Sequence, residues 1–421
     1  MKLSDDCFVH DKDRMQHFEA VDLLRQRLAP GVGTETVKLD EAIGRVLPED
    51  IQAPRNIPAF DNSAVDGYAF AFEDFEPTGG VFPVKERVAA GNTEDLSLPG
   101  FSAARIFTGA RMPEGADTVA MQEDCKPYTQ EGLQFVAIPA GLKKGANCRL
   151  AGEDVAENET IAHSGNVLTP QDIAAIASAG IPQVEVFNPL RIGLLSSGDE
   201  ILRPGESFEL GKVYDANHFM LLGLLASLKA EVTDLGVCPD NAGEVETLLS
   251  SRAKEFDVLI STGGASKGEE DYFVETLDKL GKCHLWQLAV KPGRPMSFGQ
   301  IDRTLCFTLP GNPVAAFVCF LLYVHPSLRV LGGAKWKEPQ RYQIPAGFSL
   351  TSKPDRREFL RGFPETQDDG ITVVKKFQRD GSGLISGLRA ASGLIEIAED
   401  TTRVKAGEMV DFIPFSEFGI S

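Results

Sequence analysis

The chain has 421 residues, a length that suggests two or three domains. It carries 42 Lys and Arg against 61 Asp and Glu, which gives a formal net charge of −19 at pH 7. This charge argues against sequence-independent nucleic-acid binding, which needs a broad basic surface, although a few local cations can still hold an anionic ligand. The hydrophobic fraction of 43% argues against wholesale disorder.

The seven cysteines form no C-x-x-C pair and the six histidines are scattered, so we expect neither a disulfide framework nor a zinc cluster. The first residues contain no apolar segment of the kind found in secretory signals. The longest apolar run, residues 314–324, is too short to span a bilayer and indicates a buried helix. We therefore expect a reduced, cytoplasmic protein that binds neither nucleic acid nor a membrane.

Apolar residues three and four apart predict an amphipathic helix over residues 14–29. Thr169, Pro170 and Asp172 are typical of a capped helix start, and we expect this second helix to partner the first. Between them, short alternating runs separated by Gly and Pro predict strands. The sequence thus predicts a split helical linker domain (1–53 and 156–189) interrupted by an inserted β-domain (54–155).

Residues 191–334 alternate apolar strands with helices, which predicts an α/β domain (190–334) whose parallel sheet is covered on both faces. Ligands of such sheets bind at the carboxyl ends of the strands. Beyond residue 335, short strands and turns predict a C-terminal β-barrel-like domain (335–421). The expected fold class is therefore multidomain α/β.

Two loops follow buried strands and combine glycines, hydroxyls and carboxylates: residues 196–200 and 261–271. In the second loop, glycines permit close backbone approach to a phosphate, and a hydroxyl and a cation could donate to it: Gly263, Gly264, Gly268, Ser266 and Lys267. The alternative is that the glycines only turn the chain and Asp271 caps the next helix. Neither a Walker A loop nor a G-x-G-x-x-G fingerprint is present.

Lys291 and Arg294 are separated by a proline and a glycine, and a rigid pair of cations suits a phosphate or another oxyanion. A solvated basic turn is the alternative. Pro310 and Pro313 frame a strand-to-helix turn whose free N–H groups could bind an anion, or which is only a tight turn.

Carboxylates are plentiful at the predicted strand ends, and with a phosphate nearby such oxygen ligands favour Mg²⁺. The residues concerned are Glu200, Asp240 and Asp271. Two further polar segments, residues 58–68 and 107–117, lie outside the α/β domain, and neither makes an active site alone.

Seven motifs occur in a fixed order along the chain: P-A-F-D-N-S-A-V-D-G-Y-A from 58, F-T-G-A from 107, G-E-D from 152, L-S-S-G-D-E from 195, G-G-A-S-K-G from 263, K-P-G-R-P from 291 and L-P-G-N-P from 309. Together they resemble the molybdopterin molybdenumtransferase family (MoeA-type, similar to the gephyrin E domain) over nearly the whole chain. The resemblance implies a homodimer of four-part subunits that inserts molybdenum from molybdate into adenylated molybdopterin, with Mg²⁺ and with release of AMP. It also implies contact with the molybdopterin adenylyltransferase and with downstream cofactor-handling proteins.

The resemblance assigns residues to three roles. Catalysis would involve Asp61, Asp154, Glu200, Asp240, Asp271 and Lys291, of which Glu200, Asp240 and Asp271 would hold the metal. Substrate binding would involve Thr108, Ser197, Gly263, Gly264, Ser266, Lys267, Arg294, Pro310, Pro313, Arg361 and Ser382. Within that set, Arg361 and Ser382 are the candidates for molybdate.

The chain departs from the family pattern at three positions. Gln287 stands where bacterial members carry a lysine, Arg294 replaces a lysine, and Ser197 replaces a threonine. These changes concern the tightness of phosphate binding more than the reaction. Two alternative functions remain open: a non-catalytic scaffold, as in the gephyrin branch, and a molybdopterin adenylyltransferase.

Overall fold

The computed structural model describes residues 14–264, 272–379 and 381–420. Three predicted site residues, Ser266, Lys267 and Asp271, lie outside the described residues, as does the side chain of Gln287. The described helices are His17–Arg27, Phe75–Thr78, Pro170–Ser178, Ala216–Ala226, Ala242–Arg252, Tyr272–Leu280, Pro313–Leu331 and Ile385–Ala390.

The split segment is held together by strand pairs that join its two halves. Thr34–Lys38 pairs antiparallel with Gln183–Phe187, and Ile51–Gln52 pairs with Thr160–Ala162. The capping box at Thr169 forms as predicted, since the Asp172 carboxylate accepts the Thr169 N–H at 2.8 Å. The expected pairing of the two helices does not occur, because His17–Arg27 packs its apolar face into the α/β core instead.

The inserted region is built on one six-stranded sheet. Its strand order is Thr118–Met121, Gly67–Phe70, Ala103–Ile106, Val81–Val88, Leu133–Ala137 and Lys126–Gln130. Apolar side chains on the two faces form two small cores. The predicted β-texture is thus present, while the exact domain bounds stay a prediction.

The α/β domain has a six-stranded mixed sheet. The order is Glu231–Cys238, Arg191–Ser197, Val258–Thr262, Thr304–Leu309, Pro295–Ile301 and Lys282–Gln287. The first four are parallel, as predicted, and Pro295–Ile301 is antiparallel to both of its neighbours. The sequence analysis missed Pro295–Ile301 because its proline, serine, glycine and glutamine interrupt the apolar pattern.

The helix Pro313–Leu331 extends beyond the apolar run 314–324 that predicted it and contains a π-helical segment at Phe320–Val324. By length and composition alone it could cross a membrane, but 94% of its most apolar window is buried inside the protein. It is the central element of the largest hydrophobic core.

The C-terminal domain contains a curled sheet. Its order is Val290–Lys291, Arg357–Thr366, Gly393–Ile397, Met409–Pro414 and Tyr342–Pro345, and Thr372–Lys376 also pairs with Arg357–Thr366. A bridge between Ala346 and Val374 links the two flanks, around a core that includes Ile395 and Phe412. The short strand Val290–Lys291 comes from the α/β side, so this sheet ties the two domains together.

Candidate functional site

Two loops meet at the carboxyl edge of the parallel sheet. The Ser197 hydroxyl donates to Asp240 Oδ1 at 3.2 Å, and the Asp199 N–H donates to Asp240 Oδ2 at 3.3 Å. In return, the Asp240 N–H donates to Asp199 Oδ1 at 3.1 Å. Predicted residues from adjacent strands are therefore in direct contact, and the Asp240 carboxylate is held in place.

Gly263 brings the third strand end against the first. Its φ is +86°, and a Cβ at this position would lie 2.3 Å from the Ser197 carbonyl oxygen, so only glycine fits. Its N–H donates to the Leu309 carbonyl oxygen at 3.2 Å, next to Pro310. The Glu200 carboxylate lies over Gly198, 2.4 Å from where a Cβ would stand. We call this edge, formed by residues 197–200, 240, 263–264 and 309–311, the strand-end crevice.

Asn217 belongs to this crevice and was missed by the sequence analysis. It is buried, and its Nδ2 donates to the Gly311 carbonyl oxygen at 2.7 Å. Its Oδ1 is buried and has no hydrogen-bond partner among the described residues. Asp215 caps the helix Ala216–Ala226 by accepting the His218 N–H, so Asn217 lies in the first turn of a helix whose start the sequence indicates. The Asp-Ala-Asn pattern before an apolar helix was therefore a usable signal.

A second site, which we call the basic cleft, lies between the α/β and C-terminal domains. It has a volume of about 410 Å³ and is lined by six cationic side chains: Arg14, Lys291, Arg294, Arg356, Arg361 and Lys376. Pro310 and Ser382 also line it. A chain of net charge −19 thus concentrates positive charge in one cavity, which is suited to an anion.

Strand pairing explains how the cleft forms. Lys291 pairs with Glu358 across the short parallel ladder, and its ammonium lies 3.2 Å from the Glu358 carboxylate. Glu358 also accepts hydrogen bonds from Arg356 at 2.5 Å and Ser352 at 2.9 Å. Burial opposes its ionisation, but these three hydrogen bonds outweigh burial and hold the pKa of Glu358 below its usual value.

Arg361 is 8% exposed and lines the cleft. Its guanidinium donates to the carbonyl oxygens of Leu384 and Arg379, each at 3.0 Å, and lies over the Phe377 ring. Arg361 therefore also supports the loop that carries Ser382. The Ser382 carbonyl in turn accepts the Val314 N–H at 2.9 Å, so one N–H group of the helix that begins at Pro313 is already engaged.

The predicted residues of the inserted domain form a third group. Asp61 Oδ1 accepts the Ala151 N–H at 2.7 Å, and the Asp154 N–H donates to the Ile57 carbonyl oxygen. Thr108 donates to Asp66 through both its N–H and its hydroxyl, and these bonds lower the pKa of the exposed Asp66 carboxylate. The three early motifs thus converge on one surface, and these hydrogen bonds of Asp61, Asp154 and Thr108 stay within the inserted region.

Within residues 14–264, 272–379 and 381–420, no group of three or more His, Cys, Asp or Glu side chains is arranged to hold a metal ion. Of the predicted metal ligands, Asp240 and Glu200 both lie at the strand-end crevice, and Asp271 is outside this part of the chain. Both residues supply carboxylate oxygens, the type of ligand that Mg²⁺ prefers.

Comparison with known proteins assigns the chain to a family. Sequence models for the "MoeA N-terminal region (domain I and II)", the "Probable molybdopterin binding domain" and the "MoeA C-terminal region (domain IV)" match residues 15–180, 193–330 and 343–415. The chain belongs to the MoeA family. The MoeA matches therefore cover all parts of the fold, which confirms the resemblance and the multidomain α/β fold class predicted from the motifs.

Two curated MoeA relatives align over most of their length. The molybdopterin molybdenumtransferase of Haemophilus influenzae is 37% identical over 384 residues, covering 91% of this chain and 94% of that protein. Molybdopterin molybdenumtransferase 2 of Mycobacterium tuberculosis is 34% identical, covering 88% of this chain and 93% of that protein. The crystal structure of the MoeA protein from Pyrococcus horikoshii OT3 superposes with a TM-score of 0.80 at 31% identity, covering 96% and 100% of the two chains.

Proposed function

We propose that the chain is a molybdopterin molybdenumtransferase, which inserts molybdenum from molybdate into adenylated molybdopterin and releases AMP. The observation that carries the proposal is the basic cleft of about 410 Å³ beside the strand-end crevice. The reaction must bring together two anions, a pyrophosphate-linked pterin and MoO₄²⁻, and an acidic protein can do so only with a local positive cavity. Pro310 touches both parts, since it lines the cleft and follows Leu309, which accepts the Gly263 N–H.

The crevice suits the pterin, and the cleft suits the anionic groups of both substrates. The crevice offers glycine backbone at Gly263 and a fixed hydroxyl at Ser197, which favour close approach of the pterin and its phosphates. The cleft offers Lys291 and Arg294 for the oxygens of phosphate or molybdate, and Arg361 and Ser382 for molybdate. Lys267 and Ser266 would add donors from the adjoining loop.

Mg²⁺ is part of this proposal. Asp240 and Glu200, with Asp271, would hold it at the crevice, where a divalent cation would offset the negative charge of the pyrophosphate. The fixed orientation of Asp240 by Ser197 and Asp199 supports the assignment. Chelation should abolish AMP release, and Asp240→Asn should raise the Mg²⁺ concentration required; full activity in a chelator would contradict it.

We also propose a homodimer, formed through an apolar face on the helix Ala216–Ala226 and the segment before it. Phe219 and Leu222, one turn apart, are 52% and 40% exposed, and Phe208 and Leu210 are 63% and 100% exposed. Large apolar side chains exposed along one short stretch of the chain favour a protein–protein interface. Leu222→Asp should yield monomers in light scattering, whereas the control Leu133→Asp, at a more exposed position of the inserted domain, should not. Dimeric Leu222→Asp protein would contradict this interface.

Six cysteines are free thiols in the described residues, which supports a reducing, cytoplasmic compartment. The reaction needs a protein that supplies the adenylated pterin and proteins that take the product, so contact with the adenylyltransferase and with downstream cofactor-handling proteins is part of the proposal.

The direct test is incubation of the purified protein with adenylated molybdopterin, molybdate and Mg²⁺, with AMP and molybdenum-bound pterin measured at the end. A transferase gives both products, and AMP release depends on molybdate. An adenylyltransferase would instead consume ATP with molybdopterin, and a scaffold would catalyse neither reaction. Either of those results would contradict the proposal.

A further inference from the structure

A buried carboxylate lies in the wall of the basic cleft. Glu358 is 2% exposed, and the cations it binds, Lys291 and Arg356, both line the cavity. Its two carboxylate oxygens bind different partners. Oε2 lies 3.2 Å from Lys291 Nζ. Oε1 accepts hydrogen bonds from Arg356 Nη2 at 2.5 Å and from the Ser352 hydroxyl at 2.9 Å. Neither sequence motifs nor the resemblance single out Glu358.

A negative charge in an anion-binding cavity weakens anion binding by Coulomb repulsion, so it needs a compensating role. Here the Glu358 carboxylate is bound by Lys291 and Arg356, and both of these side chains remain partly accessible from the cleft. The Lys291 side chain is 44% exposed, and that of Arg356 is 23% exposed. Glu358 therefore anchors two cations at a fixed separation and leaves them facing the cleft.

Donors held at a fixed spacing can select one anion over another, whereas mobile charges cannot. Two flexible cations adapt to any dianion, whereas two anchored cations favour the anion whose oxygens match their spacing. Molybdate and sulfate are both tetrahedral dianions, and they differ chiefly in size, because the Mo–O bonds are longer than the S–O bonds. Tungstate has nearly the size of molybdate.

We propose that Glu358 is a positioning residue that sets the spacing of Lys291 and Arg356 and so makes the cleft prefer molybdate to sulfate. The inference rests on the proposed function, because it takes the cleft to be the oxyanion site. It adds a source of selectivity that the cations alone do not explain, since each of them would attract either dianion.

The test is calorimetric titration of the full-length protein with molybdate, tungstate and sulfate. The Glu358→Gln variant keeps the shape of the side chain but weakens its hold on both cations. We expect sulfate to bind at least as tightly as to the wild type, because a negative charge has been removed. We expect the ratio of molybdate to sulfate affinity to fall by about fivefold or more, with tungstate following molybdate.

A matched control separates spacing from charge. Glu399→Gln also removes a carboxylate that binds an arginine in this domain, but its partner Arg357 does not line the cleft. The selectivity ratio of this variant should equal that of the wild type. If Glu358→Gln does not fold, Ser352→Ala carries the test, because it removes one hydrogen bond to Glu358 and should lower the ratio in the same direction.

A selectivity ratio that stays within about twofold of wild type in the folded variant overturns the proposal, whatever happens to the individual affinities. The proposed function fails differently. In that case the wild type would either not bind molybdate or bind it equally well after Lys291→Ala. The ratio of molybdate to sulfate affinity would then not report on this cleft.

Discussion

The Cys319 Sγ lies 3.4 Å from the Gly293 carbonyl oxygen and fills the space beside the Gly293 Cα. A Cβ on Gly293 would lie 2.4 Å from that sulfur, and the residue has a φ of +108°. The turn that carries Lys291 and Arg294 therefore rests on the central helix Pro313–Leu331 through a contact that only glycine allows. The position of two cleft cations depends on packing in the core beneath them.

Gly293→Ala should consequently displace the turn. We expect a loss of about 1–3 kcal/mol in the free energy of unfolding and a clear weakening of molybdate binding. Gly407→Ala is the control, because Gly407 also has a positive φ, +89°, but no atom lies within 4 Å of its Cβ position. It should lose stability without losing affinity. Unchanged molybdate affinity in folded Gly293→Ala protein would show that the turn tolerates the shift.

The sequence predicted the crevice better than the cleft, for a physical reason. Apolar strands reveal where a parallel sheet ends, so Ser197, Asp240 and Gly263 were expected together, and Ser197 and Asp240 are in contact. The cleft depends on pairing between positions that are distant in sequence. Lys291 and Glu358 are 67 residues apart, and no local pattern indicates that they are neighbours.

The sequence also did not reveal the structural contacts that predicted site residues make. Arg361 was expected to contact molybdate, but an arginine in a sequence does not reveal that its guanidinium also supports the carbonyls of Leu384 and Arg379. The antiparallel strand Pro295–Ile301 was missed because tertiary contacts, rather than an apolar pattern, stabilise it.

Arg361→Ala should raise the molybdate concentration for half-maximal turnover by about tenfold or more, while pterin affinity stays nearly unchanged. The reason is the loss of charge-assisted donors, each worth roughly 1.5–3 kcal/mol when buried. Steady-state assays across molybdate concentrations and separate pterin titrations would measure the two effects. A fall in pterin affinity with an unmoved molybdate dependence would assign Arg361 to the phosphate pocket.

Subunit mixing should reveal whether the site is shared. Asp61→Asn and Lys291→Ala lie in different domains, and each alone should reduce AMP release strongly. If the inserted domain of one protomer completes the site of its partner, a mixed dimer holds one intact site, and the mixture should regain up to a quarter or so of wild-type activity by random exchange. Absence of rescue, once exchange has been shown with labelled subunits, would place both residues in one chain's site.

Stability should fall in mildly acidic solution because His325 is buried neutral. Burial, aided by Arg329, lowers its pKa from 6.5 to about 4, and its ring packs against Phe418. Between about pH 6.5 and 4 the unfolded chain binds a proton that the native protein excludes, so the free energy of unfolding falls as pH falls, by up to about 3 kcal/mol.

Urea unfolding at pH 7.5 and pH 5 would measure that change in the wild type and in His325→Phe. The variant should lose less stability on acidification, because one excluded proton is gone. His17, whose pKa burial also lowers to about 4, should account for part of the remaining slope. Identical pH dependence in the two proteins would mean that His325 is not a neutral buried group in the native state.

The central claim is that the basic cleft brings molybdate to the adenylated pterin. It is tested most directly by single-turnover release of AMP, measured with enzyme in excess while molybdate is varied, in the wild type and in Lys291→Ala. We predict that wild-type AMP release rises with molybdate to saturation, and that Lys291→Ala reduces its rate by about tenfold or more at every concentration. AMP release that is independent of molybdate, or equal in the two proteins, would contradict the account.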